Sequence, residues 1–142
     1  MNAAEQMHSM AFAHALASAL TLFRNHFPAA IPNLSPWNDD FETRRCCDDE
    51  TIDLAFHFPG WSPKLQCRSV LVQLMISKDE LASSPHLVGV VMRGMTFEGE
   101  RWRIATLGDW QPAGPYLPEP AERSQLLSIC RDLFALFPKT SS

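Results

Sequence analysis

The spacing of apolar side chains changes twice along this 142-residue chain. Near both ends the apolar residues recur at the spacing of a helix, and between them they recur at every second position. Spacings of three and four residues indicate a helix with one buried face, whereas strict alternation indicates a half-buried strand. Both kinds of element need a partner that covers the apolar side. The pattern therefore predicts an α+β fold in which two terminal helices pack on one face of a sheet.

The helical spacing lies in the first and last segments of the chain. The first predicted helix spans Asn2–His26, and Asn2 followed by Glu5 has the composition of a capping box. The last begins at Pro120, a residue favoured in the first helical turn, and continues to about Phe137. The predicted buried stripes are Phe12, Leu16, Leu20, Phe23 and Phe27 in the first helix and Leu126, Cys130, Leu133 and Phe137 in the last.

About five strands are predicted between the helices, and their short links favour antiparallel neighbours. The clearest is Thr51–Phe58, where Ile52, Leu54 and Phe56 alternate with other side chains. The other predicted strands are Phe41–Cys47, Gln66–Ile76, His86–Phe97 and Arg101–Leu107, with one helical turn at Ser77–Leu81. We expect a proline-broken connection at Ala29–Asn38 and turns at Pro59–Gly60 and Glu98–Gly99. The chain should form a single α+β domain with an antiparallel meander of about five strands.

Charge and hydropathy restrict the location and the partners. A formal net charge of −4 does not suit a broad nucleic-acid-binding surface. The apolar run Ala11–Phe23 follows Glu5 instead of the basic start of an export signal, and it is too short to span a membrane. We therefore expect a cytoplasmic protein with neither a nucleic-acid partner nor a membrane partner.

The cysteines agree with a reducing compartment. None belongs to a CxxC pair, and Cys46 and Cys47 are adjacent, so on a strand they point to opposite faces. That arrangement suits neither a zinc site nor an ordinary disulfide. We expect all four, which are Cys46, Cys47, Cys67 and Cys130, to be reduced and structural.

No local pattern matches a catalytic, metal-binding or phosphate-binding motif. The histidines lack HExxH and HxxxH spacing, and neither GxSxG nor a Walker-type glycine loop occurs. The acidic groups Asp39–Asp40 and Asp48–Glu50 are expected in solvated turns. Cys67 and His57 could meet across neighbouring strands, but a reactive thiol also needs an electropositive, partly open setting. These observations favour a protein without catalysis, metal or cofactor.

Arginine is concentrated in the predicted sheet. Nine of the twelve basic residues are arginine, and six of these lie on predicted strands. If Ile52, Leu54 and Phe56 face the helices, His57 and several arginines should share the helix-free face. The guanidinium group binds carboxylates and phosphates bidentately, so this face could hold an acidic peptide or an anionic small molecule. The alternative is a solvated face with cross-strand pairs between arginine and Asp53. The six arginines are Arg44, Arg45, Arg68, Arg93, Arg101 and Arg103.

The loop after the last predicted strand is rich in proline and aromatic residues. Trp110 and Tyr116 lie in it, and Trp61 lies on another predicted turn. Loop aromatics are frequent interface anchors, and stiff prolines lower the entropic cost of binding. The alternative is that these rings cover one end of the core.

The predicted element order is helix, three strands, short helix, two strands and helix. This order, together with size and acidity, resembles the small acidic chaperones of type III secretion systems. The resemblance implies a dimer that wraps an extended segment of a partner protein. We therefore expect a non-catalytic binding or accessory protein with a protein or peptide partner, in which a homodimer is also allowed. The alternative is a small enzyme or ligand-binding domain that holds an anionic ligand on the arginine face near His57.

Overall fold

The computed structural model describes residues 2–6, 10–37, 51–76, 87–108 and 110–137. A short 3-10 helix, Ala3–Gln6, precedes helix α1 at Met10–His26, and helix α2 spans Pro120–Leu136. The strands are β1 (Ile31–Asn33), β2 (Thr51–Ser62), β3 (Cys67–Ile76), β4 (Leu87–Thr96) and β5 (Gly99–Ala105). They form one antiparallel sheet in chain order, which confirms the predicted α+β meander.

Alternation along the strands builds one continuous apolar face. Leu54 of β2 lies opposite Val72 of β3, Val72 lies opposite Met92 of β4, and Met92 lies opposite Ile104 of β5. Because partners in register point to the same side, these residues form a row across the sheet. All four are at most 3% exposed, so the face lies within the core.

Both helices cover this apolar face. The ring of Phe23 in α1 stacks on Phe56 of β2 with a centroid distance of 3.8 Å. Phe12 in α1 contacts Phe137 at the end of α2 with ring centroids 5.4 Å apart. Residues from both helices and from four strands therefore belong to one buried core, as the two terminal stripes predict.

The buried stripe of α1 differs slightly from the predicted one. Phe12 and Phe23 are buried, whereas Leu20 and Phe27 are only partly buried. Successive steps of four residues exceed one helical turn, so a stripe built mainly from such steps drifts around the helix. Ala15, which precedes Leu16 on the helix, is buried in the core although it does not belong to the predicted stripe.

The start of the first predicted helix is wrong. The α-helix begins at Met10, and Asn2 caps no helix. The Nδ2 group of Asn2 donates to the carbonyl oxygen of Trp37 at 3.0 Å, and the backbone N–H of Trp37 donates to Asn2 Oδ1 at 2.9 Å. A pair of hydrogen bonds to a segment 35 residues away therefore takes the side chain that the sequence pattern assigned to capping.

Two predicted connections also differ from the structure. The segment predicted as Ala29–Asn38 contains β1, and its Pro32 is tolerated because β1 is the edge strand. At Pro59–Gly60 the chain continues as β2, and the turn follows at residues 63–66. The pairing of β2 with β3 shifts register between His57 and Ser62. Proline cannot donate to the ladder, so the predicted turn is instead a bulge within a longer strand.

Several predictions lie outside the described residues. They are the strand Phe41–Cys47, the helical turn Ser77–Leu81, the acidic groups Asp39–Asp40 and Asp48–Glu50, and the cysteines Cys46 and Cys47. Within the described ranges, no helix is both long enough and apolar enough to cross a membrane.

Candidate functional site

A hydrogen-bonded row of polar side chains crosses the sheet face opposite to the helices. Gln73 Nε2 donates to Asp53 Oδ1 at 3.3 Å, and Arg93 Nε donates to Gln73 Oε1 at 2.8 Å. Glu100 Oε1 lies 3.0 Å from Arg93 Nη1 and 3.6 Å from Arg103 Nε. Arg93 and Arg103 therefore share one carboxylate, and Arg93 reaches Asp53 through Gln73 instead of directly.

The other end of this row is the buried carboxylate of Asp53, which has no exposed surface. Thr51 Oγ1 donates to Asp53 Oδ1 at 2.6 Å, and the indole N–H of Trp37 donates to Oδ2. With the Gln73 amide, three donors surround the carboxylate, which is the condition under which a buried charge is tolerated. This half of the row stabilises the fold and leaves no acceptor for a ligand.

His57 links three strands of the sheet. Asn33 Nδ2 of β1 lies 3.2 Å from His57 Nε2, and His57 Nδ1 lies 2.7 Å from Ser69 Oγ of β3. An amide nitrogen can only donate, so Nε2 accepts and Nδ1 carries the proton that is donated to Ser69. Both ring nitrogens are engaged, and neither contacts Cys67. The structure does not form the cysteine–histidine pair that the sequence allowed.

Arg101 does not belong to the row formed by Arg93 and Arg103. Trp102 lies opposite Gly94 and Glu100 lies opposite Met95, so Arg101 is the extra residue of a bulge and has no partner on β4. Its guanidinium carbon lies 3.7 Å from the centroid of the Tyr116 ring and 4.8 Å from that of Trp61. The guanidinium is therefore held between two aromatic rings at one end of the sheet.

A glycine in the loop after β5 brings Tyr116 to this position. Gly114 has a φ of +141°, and a Cβ atom there would lie 2.7 Å from Trp102 Cα and closer still to the Arg101 carbonyl oxygen. The loop crosses β5 at that point, where the N–H of Tyr116 donates to the Arg101 carbonyl at 3.4 Å. Only glycine combines this conformation with so close an approach.

A second arginine lies over an aromatic ring at the same end of the sheet. Arg68 Cζ is 4.7 Å from the centroid of Phe97, which lies at the tip of the β4–β5 hairpin and is 88% exposed. Both line an open groove of about 300 Å³, together with His57. The structure therefore brings His57 and Arg68 together, as the predicted arginine face requires.

These contacts define one feature, the arginine–aromatic surface, which consists of Trp61, Arg68, Phe97, Arg101 and Tyr116. Arg68 directly follows Cys67 in β3, and the charge of Arg101 acts to lower the pKa of the Cys67 thiol, so both arginines are related to the same end of β3. Within the described ranges, neither arginine has a carboxylate partner, and the buried Nε of Arg101 has no hydrogen-bond partner. Their guanidinium groups thus keep donors for a ligand.

The remaining predicted site residues lie elsewhere. Trp110 is partly buried and packs on Phe134 of α2, with ring centroids 6.2 Å apart, so it extends the core. Arg44 lies outside the described residues. Phe97 is not among the residues that the sequence marks for binding. The sequence signal that points to Phe97 is its position directly before the polar turn Glu98–Gly99. Solvated side chains are usual at such a position, so a large aromatic side chain there is unusual.

The two described thiols are poor candidates for chemistry. Cys67 and Cys130 are unpaired and fully buried. Burial raises the pKa of each to about 12, against weaker opposite effects that include the charges of Arg101 and Arg131, respectively. Both therefore remain protonated near neutral pH, unlike a reactive thiolate. Among the described residues there is also no cluster of side chains suited to a metal ion.

We expect both buried thiols to resist Ellman's reagent in the native protein near neutral pH and to react fully in urea. Cys46→Ser and Cys47→Ser should be introduced first, so that only the buried pair is measured. A pKa raised in the folded state also means that stability is complete below about pH 9 and falls as the pH rises towards about 12. Rapid labelling of the native protein, or a urea midpoint that rises over this range, would contradict the prediction.

Comparison with known proteins gives a family but no function. A family model described as a domain of unknown function matches residues 4–139. No curated protein and no solved structure matches the chain. The geometry of the site is therefore the basis for any functional assignment.

Proposed function

Because the chain belongs to this family of domains of unknown function, we propose its role from the structure: it is a non-catalytic binding protein whose arginine–aromatic surface holds an acidic segment of a partner protein. One observation carries the proposal. Arg101 is fixed between Trp61 and Tyr116, and in the described part of the chain no carboxylate pairs with it.

Aromatic packing prepares Arg101 for an anion. The rings on both sides restrict its long side chain, so less conformational entropy is lost when a ligand binds. A planar guanidinium can then donate two parallel hydrogen bonds to one carboxylate. Arg68 on Phe97 repeats the arrangement nearby, which favours a ligand with more than one acidic group.

The exposed rings favour a protein segment over a small molecule. Trp61, Phe97 and Tyr116 are all large and at least 42% exposed. Tryptophan, tyrosine and arginine are the residues enriched in the energetic centres of protein interfaces. Small-molecule sites usually enclose most of the ligand, whereas this groove is open beside a protruding hairpin tip. An extended acidic chain with some apolar side chains would contact both features of the surface.

We expect Arg101→Ala to weaken binding of an acidic peptide about tenfold to a hundredfold, which corresponds to the loss of a charge-assisted hydrogen-bond pair. The probe is a fluorescein-labelled peptide of alternating glutamate and leucine, and the measurement is fluorescence anisotropy at low salt. Arg101→Lys should also weaken binding, because an ammonium group neither stacks between two rings nor forms the bidentate contact.

The matched control is Arg131→Ala, which removes the same charge from an exposed position on α2. It should change the affinity less than twofold, because an exposed charge away from the contact acts only over a screened distance. Equal losses in both variants would show unspecific attraction and would contradict the proposal. Binding of citrate at Arg101 without binding of the peptide would also contradict it, and would favour the anionic small-molecule alternative. A cytoplasmic location and a homodimer remain predictions from the sequence.

A further inference from the structure

A second cleft lies where the end of α1, the β2–β3 turn and the first turn of α2 meet. Its volume is about 460 Å³, within the range of small-molecule sites. None of the five residues of the arginine–aromatic surface lines it, although Phe58 lines both this cleft and the groove beside Arg68. The ionisable residues of the lining are Glu122, Lys64 and His26, and Phe27 and Phe58 supply aromatic walls. The two rings meet edge to face with centroids 6.4 Å apart.

The unusual member of this cleft is Glu122. Its side chain is only 8% exposed, and its Oε2 atom is shielded from solvent without a hydrogen-bond partner. No described residue forms an ion pair with it. The position also has a sequence signal, because Glu122 lies four residues before Leu126 and therefore continues the apolar stripe of α2.

Helix capping does not account for this carboxylate. Glu119 is the N-cap of α2 and Glu122 is the third residue after it, so in a capping box the Glu122 carboxylate would accept the backbone N–H of Glu119. That N–H instead donates to the carbonyl oxygen of Lys64 at 2.8 Å. The positive end of the helix dipole favours a negative charge here, but it does not supply the missing donor. A carboxylate oxygen that is buried without a donor is destabilising, so a ligand that supplies the donor to Oε2 would gain binding free energy.

We propose that this cleft binds a zwitterionic amino acid with an apolar side chain. The ammonium group of the ligand donates to the Glu122 carboxylate, once a rotation of that side chain brings the shielded Oε2 atom to the wall of the cleft. The Lys64 ammonium group or an N–H of His26 donates to the carboxylate of the ligand, so the lining offers a partner to each end of a zwitterion. Phe27 and Phe58 cover its apolar side chain. The proposal concerns a separate site and does not depend on the acidic-peptide function.

The test compares three matched probes, phenylalanine, phenethylamine and 3-phenylpropionate. Binding of each probe to the wild-type protein is measured by calorimetry and by thermal shift. Phenylalanine should bind best. Phenethylamine, which lacks the carboxylate, should bind more weakly, and 3-phenylpropionate, which lacks the amine, should not bind. Tighter binding of 3-phenylpropionate than of phenethylamine, or no binding of any probe at about 10 mM, would overturn the proposal.

The variant Glu122→Gln adds a second readout. We expect it to weaken phenylalanine binding at least about tenfold. We also expect it to raise the melting temperature of the unliganded protein by a few degrees. The gain in stability follows from replacing a carboxylate that has one buried oxygen without a donor by a neutral group of the same volume. The matched control is Glu119→Gln, which removes an exposed carboxylate from the same helix end. Unchanged phenylalanine affinity in Glu122→Gln would refute the assignment, and neither result depends on Arg101.

Discussion

Replacing Gly94 with alanine is expected to lower the free energy of unfolding by about 3 kcal/mol or more, since the added methyl group has no room. A Cβ atom at this position would lie 2.8 Å from Cδ1 of the Trp102 indole and closer still to Nε1 and Cε2. Trp102 is fully buried, and its Nε1–H donates to the Leu65 carbonyl at 2.6 Å. The ring therefore cannot move aside without breaking a hydrogen bond and disturbing the core.

Urea unfolding followed by tryptophan fluorescence measures this effect. Gly60→Ala is the matched control, because no atom lies within 4 Å of a Cβ at that position. The control should stay within about 0.5 kcal/mol of the wild type. Similar urea midpoints for the two alanine variants would show that the indole does not pack against Gly94, and the register of β4 with β5 would then be in doubt.

The second large effect is expected at Asp53. Asp53→Ala removes the acceptor shared by Trp37, Thr51 and Gln73, and each buried donor left without a partner costs about 1–3 kcal/mol. We expect a total loss of at least about 3 kcal/mol in the free energy of unfolding. Asp53→Asn should lose less, because its remaining oxygen can still accept from Thr51 and Gln73, whereas its amide nitrogen faces the indole donor.

Asp132→Ala provides the comparison, since it removes an exposed carboxylate from α2. Its urea midpoint should stay close to that of the wild type, as for most exposed substitutions. If Asp53→Ala proved as mild as Asp132→Ala, the polar row would not stabilise the sheet. Acidic-peptide binding should persist in any Asp53 variant that folds, because the arginine–aromatic surface does not include this row.

The two predictions concern opposite faces of one sheet, and together they explain how the binding surface is held. Trp102 anchors β5 from the core side, while the row from Asp53 to Glu100 connects β2 to β5 on the other side. Arg101 lies on the strand held by both. A site built on such an element keeps its geometry better than one on a free loop.

The general architecture could be predicted from the sequence because it depends on local spacing. Alternation at Ile52, Leu54 and Phe56 specifies which face of a strand is apolar, whatever the neighbouring strand is. The stripe on the last helix follows from the 3.6-residue repeat in the same way. The glycine at the last hairpin turn is also a local signal for the predicted turn, and Gly99 has a φ of +116°, which residues with a side chain rarely adopt.

The site depended on contacts that no local pattern contains. Arg101 and Arg103 are two residues apart on one strand, yet Arg103 meets Glu100 and Arg101 meets Trp61 and Tyr116, because Arg101 is the extra residue of a bulge. A bulge arises from the pairing between two strands and redirects a side chain. The hydropathy pattern of a single strand therefore does not reveal it.

Sequence alone thus determined the two long helices, the apolar face of the sheet and the stripe of α2, since each follows from side-chain periodicity along one segment. Only the tertiary structure decided which charges are left unpaired. Glu122 lacks a donor because the carbonyl of Lys64, distant in sequence, accepts the Glu119 N–H. Periodicity is a property of neighbouring residues, whereas the pairing of charges and hydrogen bonds depends on distances between segments that only folding brings together.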